Sequence, residues 1–252
     1  METISAVIIT QNEERNIGRC LQSLDGVVNE VVVVDSGSTD RTEELCRKAG
    51  VRFLHHDWAG YSGQKNYADS LATSDWILSI DADEALSDEL RKSVLDLKHR
   101  GLDRGTVYSV QRLNNYCGHW IHHSGWYPDE KVRLWPRGVA EWDGVVHEEL
   151  RYASAVTSRR LEGALLHYTY YSVADHADRQ LRYAKLAARK AYEAGRHTSR
   201  FGVWLRPGWT FIRNYLFKGG FRDGYAGYCV CRMAAYYTYL KYALLLELDS
   251  RD

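Results

Sequence analysis

The chain of 252 residues has few prolines, few cysteines and no long apolar run. Its three prolines and the absence of low-complexity tracts argue against a disordered protein. The sequence has no internal repeat, which argues against a solenoid or a coiled coil. Its five scattered cysteines lack a CxxC pair, which favours reduced thiols in a cytoplasmic protein over a disulfide scaffold. The sequence has no stretch of about 18 apolar residues, so it predicts no membrane-spanning helix. Its first residues do not resemble a signal peptide.

The net charge of zero conceals a strong asymmetry along the chain. Residues 1–150 carry 25 acidic against 16 basic side chains, whereas residues 151–252 carry 8 against 17. Of the 31 aromatic residues, 13 follow residue 200. This distribution predicts different partners for the acidic first part and the basic, aromatic last part.

Short apolar runs alternate with helical patterns over the first hundred residues. The runs predict buried strands at 6–9, 31–34, 51–54 and 76–80. Helical spacing and capping residues lie between them, so the pattern predicts an α/β fold whose sheet is mostly parallel and flanked by helices. Such sheets bind ligands beyond the carboxyl ends of their strands.

Polar residues follow three of these predicted strands. Asp81-Ala82-Asp83 places two carboxylates on one side of an extended segment, where a divalent cation would relieve their repulsion. The alternative is a solvated turn that caps the next helix. Asp35 begins a Ser/Gly turn, where it contacts either a bound ribose or base or the turn itself.

Four ordered motifs together resemble the family 2 inverting glycosyltransferases, which have the Rossmann-like GT-A fold. The motifs are Ile8-Ile9-Thr10-Gln11-Asn12-Glu13-Glu14, Val33-Val34-Asp35-Ser36-Gly37-Ser38-Thr39-Asp40, Gln64-Lys65-Asn66 and Asp81-Ala82-Asp83-Glu84. The resemblance implies a UDP-sugar donor and Mg²⁺ or Mn²⁺ as cofactor. Its implied nucleotide-sugar contacts are Thr10, Asn12, Glu13, Asp35, Gln64, Lys65, Asn66 and Asp81. Its implied metal ligand is Asp83, with Asp81 and His147 as further candidates.

The second half is similar to a subgroup that acts on the lipopolysaccharide inner core. Lys131-Val132-Arg133-Leu134-Trp135 and Trp142-Asp143-Gly144-Val145-Val146-His147-Glu148 carry this resemblance, as do segments at 207–211, 219–224 and 241–243. It implies transfer of a hexose, glucose, to a heptose. Acceptors that are proteins or polyprenyl phosphates remain alternatives within the same class.

Inversion at the anomeric carbon requires a base near the acceptor hydroxyl. Glu148 is our predicted catalytic base, with Asp143, Glu130 and Glu149 as rivals. The alternative for Glu148 is a solvent-facing strand acid.

The histidine-rich run at 119–123 lacks the HExxH pattern and cysteine ligands, so we do not expect zinc there. Trp126 and Tyr127 are interpreted either as sugar-stacking residues of the acceptor site or as packed loop aromatics.

The basic, aromatic tail predicts a division into a catalytic domain at 1–165 and a helical, membrane-proximal extension at 166–252. Ser172 and Asp175 indicate the start of a helix over 173–194. Aromatics among arginines suit an anionic membrane surface, which predicts peripheral binding to the inner face of the cytoplasmic membrane. The alternative is packing on the catalytic domain with solvated charges. No helix-turn-helix or RNP pattern supports nucleic-acid binding.

Two other functional classes compete with this prediction. A nucleotidyltransferase would need a glycine-rich basic loop after the first strand, and Thr10-Gln11-Asn12-Glu13-Glu14 lacks one. An inactive, membrane-docked binding protein of the same fold is the other alternative, although Asp35, Asp81 and Asp83 are all present.

Overall fold

The computed structural model describes residues 2–144 and 149–250, and the chain divides into two compact units. The first unit comprises Met1–Arg112 and Asp129–His167, and the second comprises Leu113–Pro128 and Tyr168–Asp252. The predicted assignment of 1–165 to catalysis and 166–252 to an extension remains a prediction about function.

The first unit begins with four parallel strands in the order β3-β2-β1-β4. Each connection between consecutive strands contains a helix, which is what a parallel neighbour requires. The strands are β1 (Ile4–Thr10), β2 (Glu30–Asp35), β3 (Arg52–His55) and β4 (Trp76–Ser79); the helices are α1 (Ile17–Leu24), α2 (Thr42–Lys48) and α3 (Gly60–Leu71). The four strands predicted from the apolar runs are confirmed. Because the chain returns to the other side of β1 to form β4, a switch point lies between β1 and β4.

Beyond β4 the sheet order continues β8-β6-β11-β5, and the pairs whose register is described there are antiparallel. The elements are β5 (Glu84–Leu86), α4 (Asp88–Arg100), β6 (Thr106–Tyr116), β8 (Glu130–Pro136) and β11 (Thr157–Tyr170). A separate two-stranded sheet pairs β9 (Ala140–Asp143) with β10 (Glu149–Tyr152). The predicted α/β class is confirmed, with described parallel pairing confined to the first four strands.

Hydrophobic clusters cover both faces of the parallel strands. Ile8, Val33 and Leu78 pack with α1 and α4 on one face, and Val7 and Val34 pack with α3 on the other. Neighbouring residues of one strand point to opposite faces, so a run of apolar residues is needed where both faces are covered. This explains why the valine run of β2 contains no polar residue until Asp35.

The second unit is mainly helical. It contains β7 (His119–Ile121), α5 (Val173–Glu193), α6 (Arg200–Ile212), a π-helical turn (Arg213–Phe217), a 3₁₀ turn (Gly220–Asp223) and α7 (Gly224–Asp249). The Ser172 hydroxyl accepts a hydrogen bond from Asp175 N at 3.0 Å, as the capping pattern predicted. The predicted C-terminal helices are therefore confirmed. Among the described helices, none has both the length and the apolar composition needed to cross a membrane.

Candidate functional site

The carboxyl ends of β1, β2 and β4 lie at one edge of the parallel sheet. Thr10 and Asp35 are partners in the β1–β2 register, and Ser36 N donates to Thr10 O at 3.0 Å. On the other side of β1, Ile80 N donates to Val7 O at 3.1 Å, directly before Asp81. This edge is at the switch point, where open α/β sheets have their ligand crevice.

The carboxylate of Asp35 closes its own turn. Its Oδ2 accepts hydrogen bonds from Gly37 N and Ser38 N, both at 2.8 Å, and its Oδ1 accepts one from the Ser38 hydroxyl. These contacts favour the turn-closing alternative in the unliganded chain. A contact between Asp35 and a ribose or base remains a prediction.

The loop after β1 is tied to the loop after β2. Asn12 has a φ of 56°, and its side-chain oxygen accepts a hydrogen bond from Thr39 N at 2.8 Å. Glu13 N donates to the Thr42 hydroxyl at 2.8 Å, while the Glu13 carboxylate accepts from Asn16. The Thr10 hydroxyl is buried and has no hydrogen-bond partner among the described residues, so it can bond a ligand without breaking an internal contact.

Helix α3 contributes three adjacent side chains with different partners. Gln64 is fully buried and donates to the Ser36 hydroxyl at 2.9 Å and to His56 O at 3.1 Å. Asn66 exchanges two hydrogen bonds of 2.8 Å with the backbone of Trp142. Gln64 therefore fixes α3 against the ends of β2 and β3, and Asn66 fixes it against β9. Ligand contacts for either side chain remain predictions.

Lys65 connects α3 to the acidic motif. Its Nζ lies 3.2 Å from Asp81 Oδ1 and 4.5 Å from the centre of the Trp142 ring. The side chain is only 10% exposed, so the ion pair is poorly screened by water.

Arg133 on β8 completes the environment of Asp81. Its Nη2 donates to Asp81 Oδ2 at 2.9 Å and to Glu84 Oε1 at 2.6 Å. Burial alone would raise the pKa of Asp81, but the charges of Arg133 and Lys65 hold that pKa well below its usual range. Burial raises the pKa of Glu84 although Arg133 opposes the shift. The sequence marked this arginine only as part of a family motif and not as a partner of the acidic pair.

Asp83 has a different partner, His167 on β11. The His167 Nε2 lies 3.1 Å from Asp83 Oδ2. Although burial lowers the pKa of His167, its hydrogen bond with Asp83 and the charge of Asp83 raise that pKa above its ordinary value overall. His167 was missed at the sequence level, because a histidine near the end of a long strand carries no motif.

The two aspartates differ in their fitness for a divalent cation. Asp81 has both carboxylate oxygens engaged by cationic side chains, which favours ion pairing over metal coordination. Asp83 is 24% exposed and its Oδ2 faces His167. Mg²⁺ needs only one or two protein carboxylates when phosphate oxygens complete its shell, so Asp83 fits such an ion. Within residues 2–144 and 149–250, no three His, Cys, Asp or Glu side chains converge as a ready-made metal site.

The predicted base Glu148 and the candidate ligand His147 lie outside the described residues. Among the rival bases, Asp143 is 2.5 Å from Arg151 Nη2, and Glu149 is its register partner across β9 and β10. Glu130 accepts from the Ser109 hydroxyl at 2.6 Å and from Gln111 at 3.3 Å. The identity of the base therefore stays a prediction.

A cavity of about 510 Å³ lies elsewhere in the first unit, between α3 and the β9–β10 sheet. Its lining includes Asn66, Asp69, Ile77, Arg137, Glu141 and Tyr152. Burial raises the pKa of Asp69 to about 7, despite the opposing effects of Lys65 and Trp142. Lys65 therefore acts on both carboxylates, Asp69 here and Asp81 in the acidic motif.

In the second unit, the aromatic loop is packed internally. The Trp126 ring lies about 6 Å from the rings of Tyr116, Tyr170 and His176. His123 Nδ1 lies 2.7 Å from Asp223 Oδ1. These contacts favour loop packing over sugar stacking for Trp126. They also give His123 a carboxylate partner.

Comparisons with known proteins agree with the resemblance. The family described as "Glycosyl transferase family 2" matches residues 5–153. The lipopolysaccharide core biosynthesis glycosyltransferase LpsC of Rhizobium meliloti (strain 1021) is 31% identical over 251 residues, which covers 97% of this chain and 92% of LpsC. The uncharacterized glycosyltransferase RT0209 of Rickettsia typhi (strain ATCC VR-144 / Wilmington) is 29% identical in an alignment that covers 100% of this chain and 89% of RT0209.

A similar solved structure is glucosyl-3-phosphoglycerate synthase from Mycobacterium tuberculosis in complex with Mn²⁺, UDP and glucosyl-3-phosphoglycerate. The two chains are 26% identical in a superposition that covers 45% of this chain and 44% of the synthase chain, with a TM-score of 0.37. That score is too low to transfer a ligand from one protein to the other. The family match over 5–153 and the full-length likeness to LpsC are sufficient by themselves: the chain belongs to glycosyl transferase family 2 and is a glycosyltransferase.

Proposed function

We propose that the chain is an inverting hexosyltransferase that moves glucose from UDP-glucose to a heptose of the lipopolysaccharide inner core. The observation that carries the proposal is the acidic motif at the switch point, where Lys65 and Arg133 hold Asp81 while Asp83 faces His167. The likeness to LpsC over 97% of the chain supports the acceptor class.

The donor half of the reaction rests on the motif residues at the edge of the sheet. Asp83 would hold Mg²⁺ or Mn²⁺, which would supply positive charge beside the leaving diphosphate. Asp81 is held in place by its two cations, so it presents a fixed acceptor to the donor. Thr10 supplies a hydroxyl whose hydrogen bond is free for the nucleotide, beside Asn12 and Asp35. Glu13, Gln64 and Asn66 keep the surrounding loops and α3 in position.

The acceptor half requires a base that removes the proton of the attacking hydroxyl. Glu148 fills this role in the proposal, and Asp143, Glu130 and Glu149 are the alternatives. The acceptor is lipid-linked, so the enzyme works as a peripheral protein at the inner face of the cytoplasmic membrane. Transfer to a protein or polyprenyl phosphate and an inactive binding protein are the competing outcomes.

The decisive experiment measures UDP release from UDP-glucose with Mg²⁺ or Mn²⁺, with and without heptose-containing core lipopolysaccharide. We expect metal-dependent release that the core stimulates, and a fall in kcat of at least about 100-fold in Asp83→Asn. Asp88→Asn is the matched control, because Asp88 is an exposed aspartate at the start of α4. Its kcat should stay within twofold.

Other outcomes would revise specific parts of the proposal. Release with another UDP-sugar alone would overturn glucose as the donor. Stimulation by a polyprenyl phosphate and not by the core would overturn the acceptor. A folded protein that releases no UDP from any donor would overturn the enzymatic proposal in favour of a binding protein.

A further inference from the structure

Helix α6 exposes an unusual amount of apolar surface. None of its residues is buried, and Phe201 is 66% and Trp204 75% exposed. The π-helical turn that follows continues this pattern, with Phe217 at 72%. Apolar surface of this size on a protein marks an interaction site.

The exposed apolar residues lie on one side of the helix. With 3.6 residues per turn, they fall within an arc of about 140°. They are Phe201, Trp204, Leu205, Trp209 and Ile212. Leu216 and Phe217 extend the row into the π-helical turn, where the Phe217 ring lies 5.9 Å from the Trp209 ring. We call this set the apolar stripe.

The opposite side of α6 is already occupied within the second unit. Thr210 Oγ1 lies 3.3 Å from Thr238 Oγ1 on α7, and the Arg206 guanidinium lies 4.1 Å from the centre of the Tyr242 ring. Asn214 is buried in the following turn. These contacts fix the helix in one rotation, so the apolar stripe is presented outward as part of the fold.

The segment of the chain that carries the stripe has charges of a single sign. Residues 194–222 contain six basic side chains and no acidic one. On a helical projection, Arg200 lies on one flank of the stripe and Arg213 lies on the other. Cations on both flanks of an apolar row are the arrangement of helices that lie in a lipid–water interface.

We propose that the apolar stripe docks the protein onto the surface of an anionic phospholipid bilayer. The tryptophan and phenylalanine side chains enter the headgroup region, and the flanking arginines contact lipid phosphates. The charge favours this occupant, because an arginine lies on each flank of the apolar row and residues 194–222 contain no acidic side chain to oppose lipid phosphates. The inference rests on the peripheral membrane binding of the proposed function and deepens it by naming the helix face and the lipid charge that carry it. Its test is separate from the proposed reaction, since lipid binding requires neither a sugar donor nor an acceptor.

The test is sedimentation of the full chain with vesicles, without sugar donor or lipopolysaccharide. We expect binding to phosphatidylcholine vesicles containing 30% phosphatidylglycerol, and at least about 10-fold weaker binding for the double variant Trp204→Ala/Phe217→Ala. The matched control is Trp58→Ala/Tyr61→Ala, an exposed aromatic pair of the first unit with rings 4.8 Å apart. It should bind within twofold of the unaltered protein.

A second variant tests the charge without touching the apolar residues. Arg200→Gln/Arg213→Gln should weaken binding to the anionic vesicles and flatten its dependence on salt, while far-UV circular dichroism stays unchanged. Equal binding by the unaltered protein and Trp204→Ala/Phe217→Ala would overturn the proposal. So would no binding at all, or a dimer in light scattering that the aromatic variant abolishes, because the stripe would then join two copies. None of these outcomes depends on whether the protein transfers a sugar.

Discussion

The two units of this glycosyltransferase treat charge and apolar surface in opposite ways. The first unit places charged groups inside, with Arg133 only 4% and Glu84 1% exposed. The second unit places apolar groups outside, with Trp204 and Phe217 more than 70% exposed. A buried charge costs stability unless another group pairs with it, and an exposed apolar patch marks a surface that associates with a partner. In the first unit the partner is another side chain of the same chain, whereas for the second we have proposed a lipid surface.

A substitution should affect folding where it removes a buried contact. Arg133 in the first unit is part of a closed set of contacts, so its removal leaves buried carboxylates without their shared partner. An aromatic side chain of the apolar stripe has few neighbours to lose. Substitutions at the two places should therefore separate stability from binding.

The largest effect is expected from Arg133→Met. The substitution leaves Asp81 and Glu84 without their shared cation, which should lower the free energy of unfolding by about 3–5 kcal/mol. Urea denaturation followed by circular dichroism measures it. The control is Arg41→Met, which breaks an exposed pair with Glu44 that water screens, so the free energy of unfolding should stay nearly unchanged. A loss in Arg133→Met as small as in the control would contradict the distinction between the units.

A pH-dependent effect is expected from Asp69→Asn. Because burial raises the pKa of Asp69 to about 7, its carboxylate is protonated more readily in the folded chain than in the unfolded chain. The contribution of this pKa difference to the free energy of unfolding is fully present below about pH 4 and is lost as the pH rises to about 7. The variant cannot ionise, so its advantage should grow across this window to at most about 4 kcal/mol.

Unfolding in urea at pH 5 and pH 8 tests whether the stability advantage of the variant increases with pH. The difference in unfolding free energy between Asp69→Asn and the unaltered chain should be larger at pH 8. Identical pH profiles for the two proteins would mean that Asp69 does not carry the shift.

The smallest effect is expected from Trp204→Ala/Phe217→Ala on folding. Both side chains are mostly exposed, so the free energy of unfolding should change by less than about 1 kcal/mol. Hydrogen exchange of α6 and α7, which lie in the second unit, measures the change locally. A loss of several kcal/mol would show that the apolar stripe stabilises the unit itself, and it would remove the contrast with the first unit.

Much of the first unit was predictable because local sequence decides it. The valine run of β2 and the apolar runs of β1, β3 and β4 contain few alternatives to buried strands, and the polar residues that end them locate the crevice. The motifs also predicted that Asp35 and Asp81 follow neighbouring parts of the parallel sheet, while their ligand contacts stay predictions. The capping serine at 172 predicted that α5 begins at residue 173, as it does, and the predicted end differs by one residue.

The partners of the motif were not predictable, because they come from distant strands. Arg133 meets Asp81 from 52 positions away, and His167 meets Asp83 from 84 positions away. Those contacts depend on antiparallel pairing beyond β4, which a pattern of parallel crossovers does not indicate. The exposure of the apolar stripe was likewise undecided, since the same aromatics would also suit a packed helix.

The buried contact of Arg133 has a consequence for the order in which the protein is made. Glu84 leaves the ribosome 49 residues before Arg133 does, and the histidine that faces Asp83 follows later still. During that interval Asp81 has Lys65 beside it, but Asp81 and Glu84 lack the arginine that they share, and enclosing both carboxylates without it is costly. This edge of the sheet is therefore completed only once β8 has been synthesised, and a fragment that stops after the acidic motif lacks both Arg133 and His167.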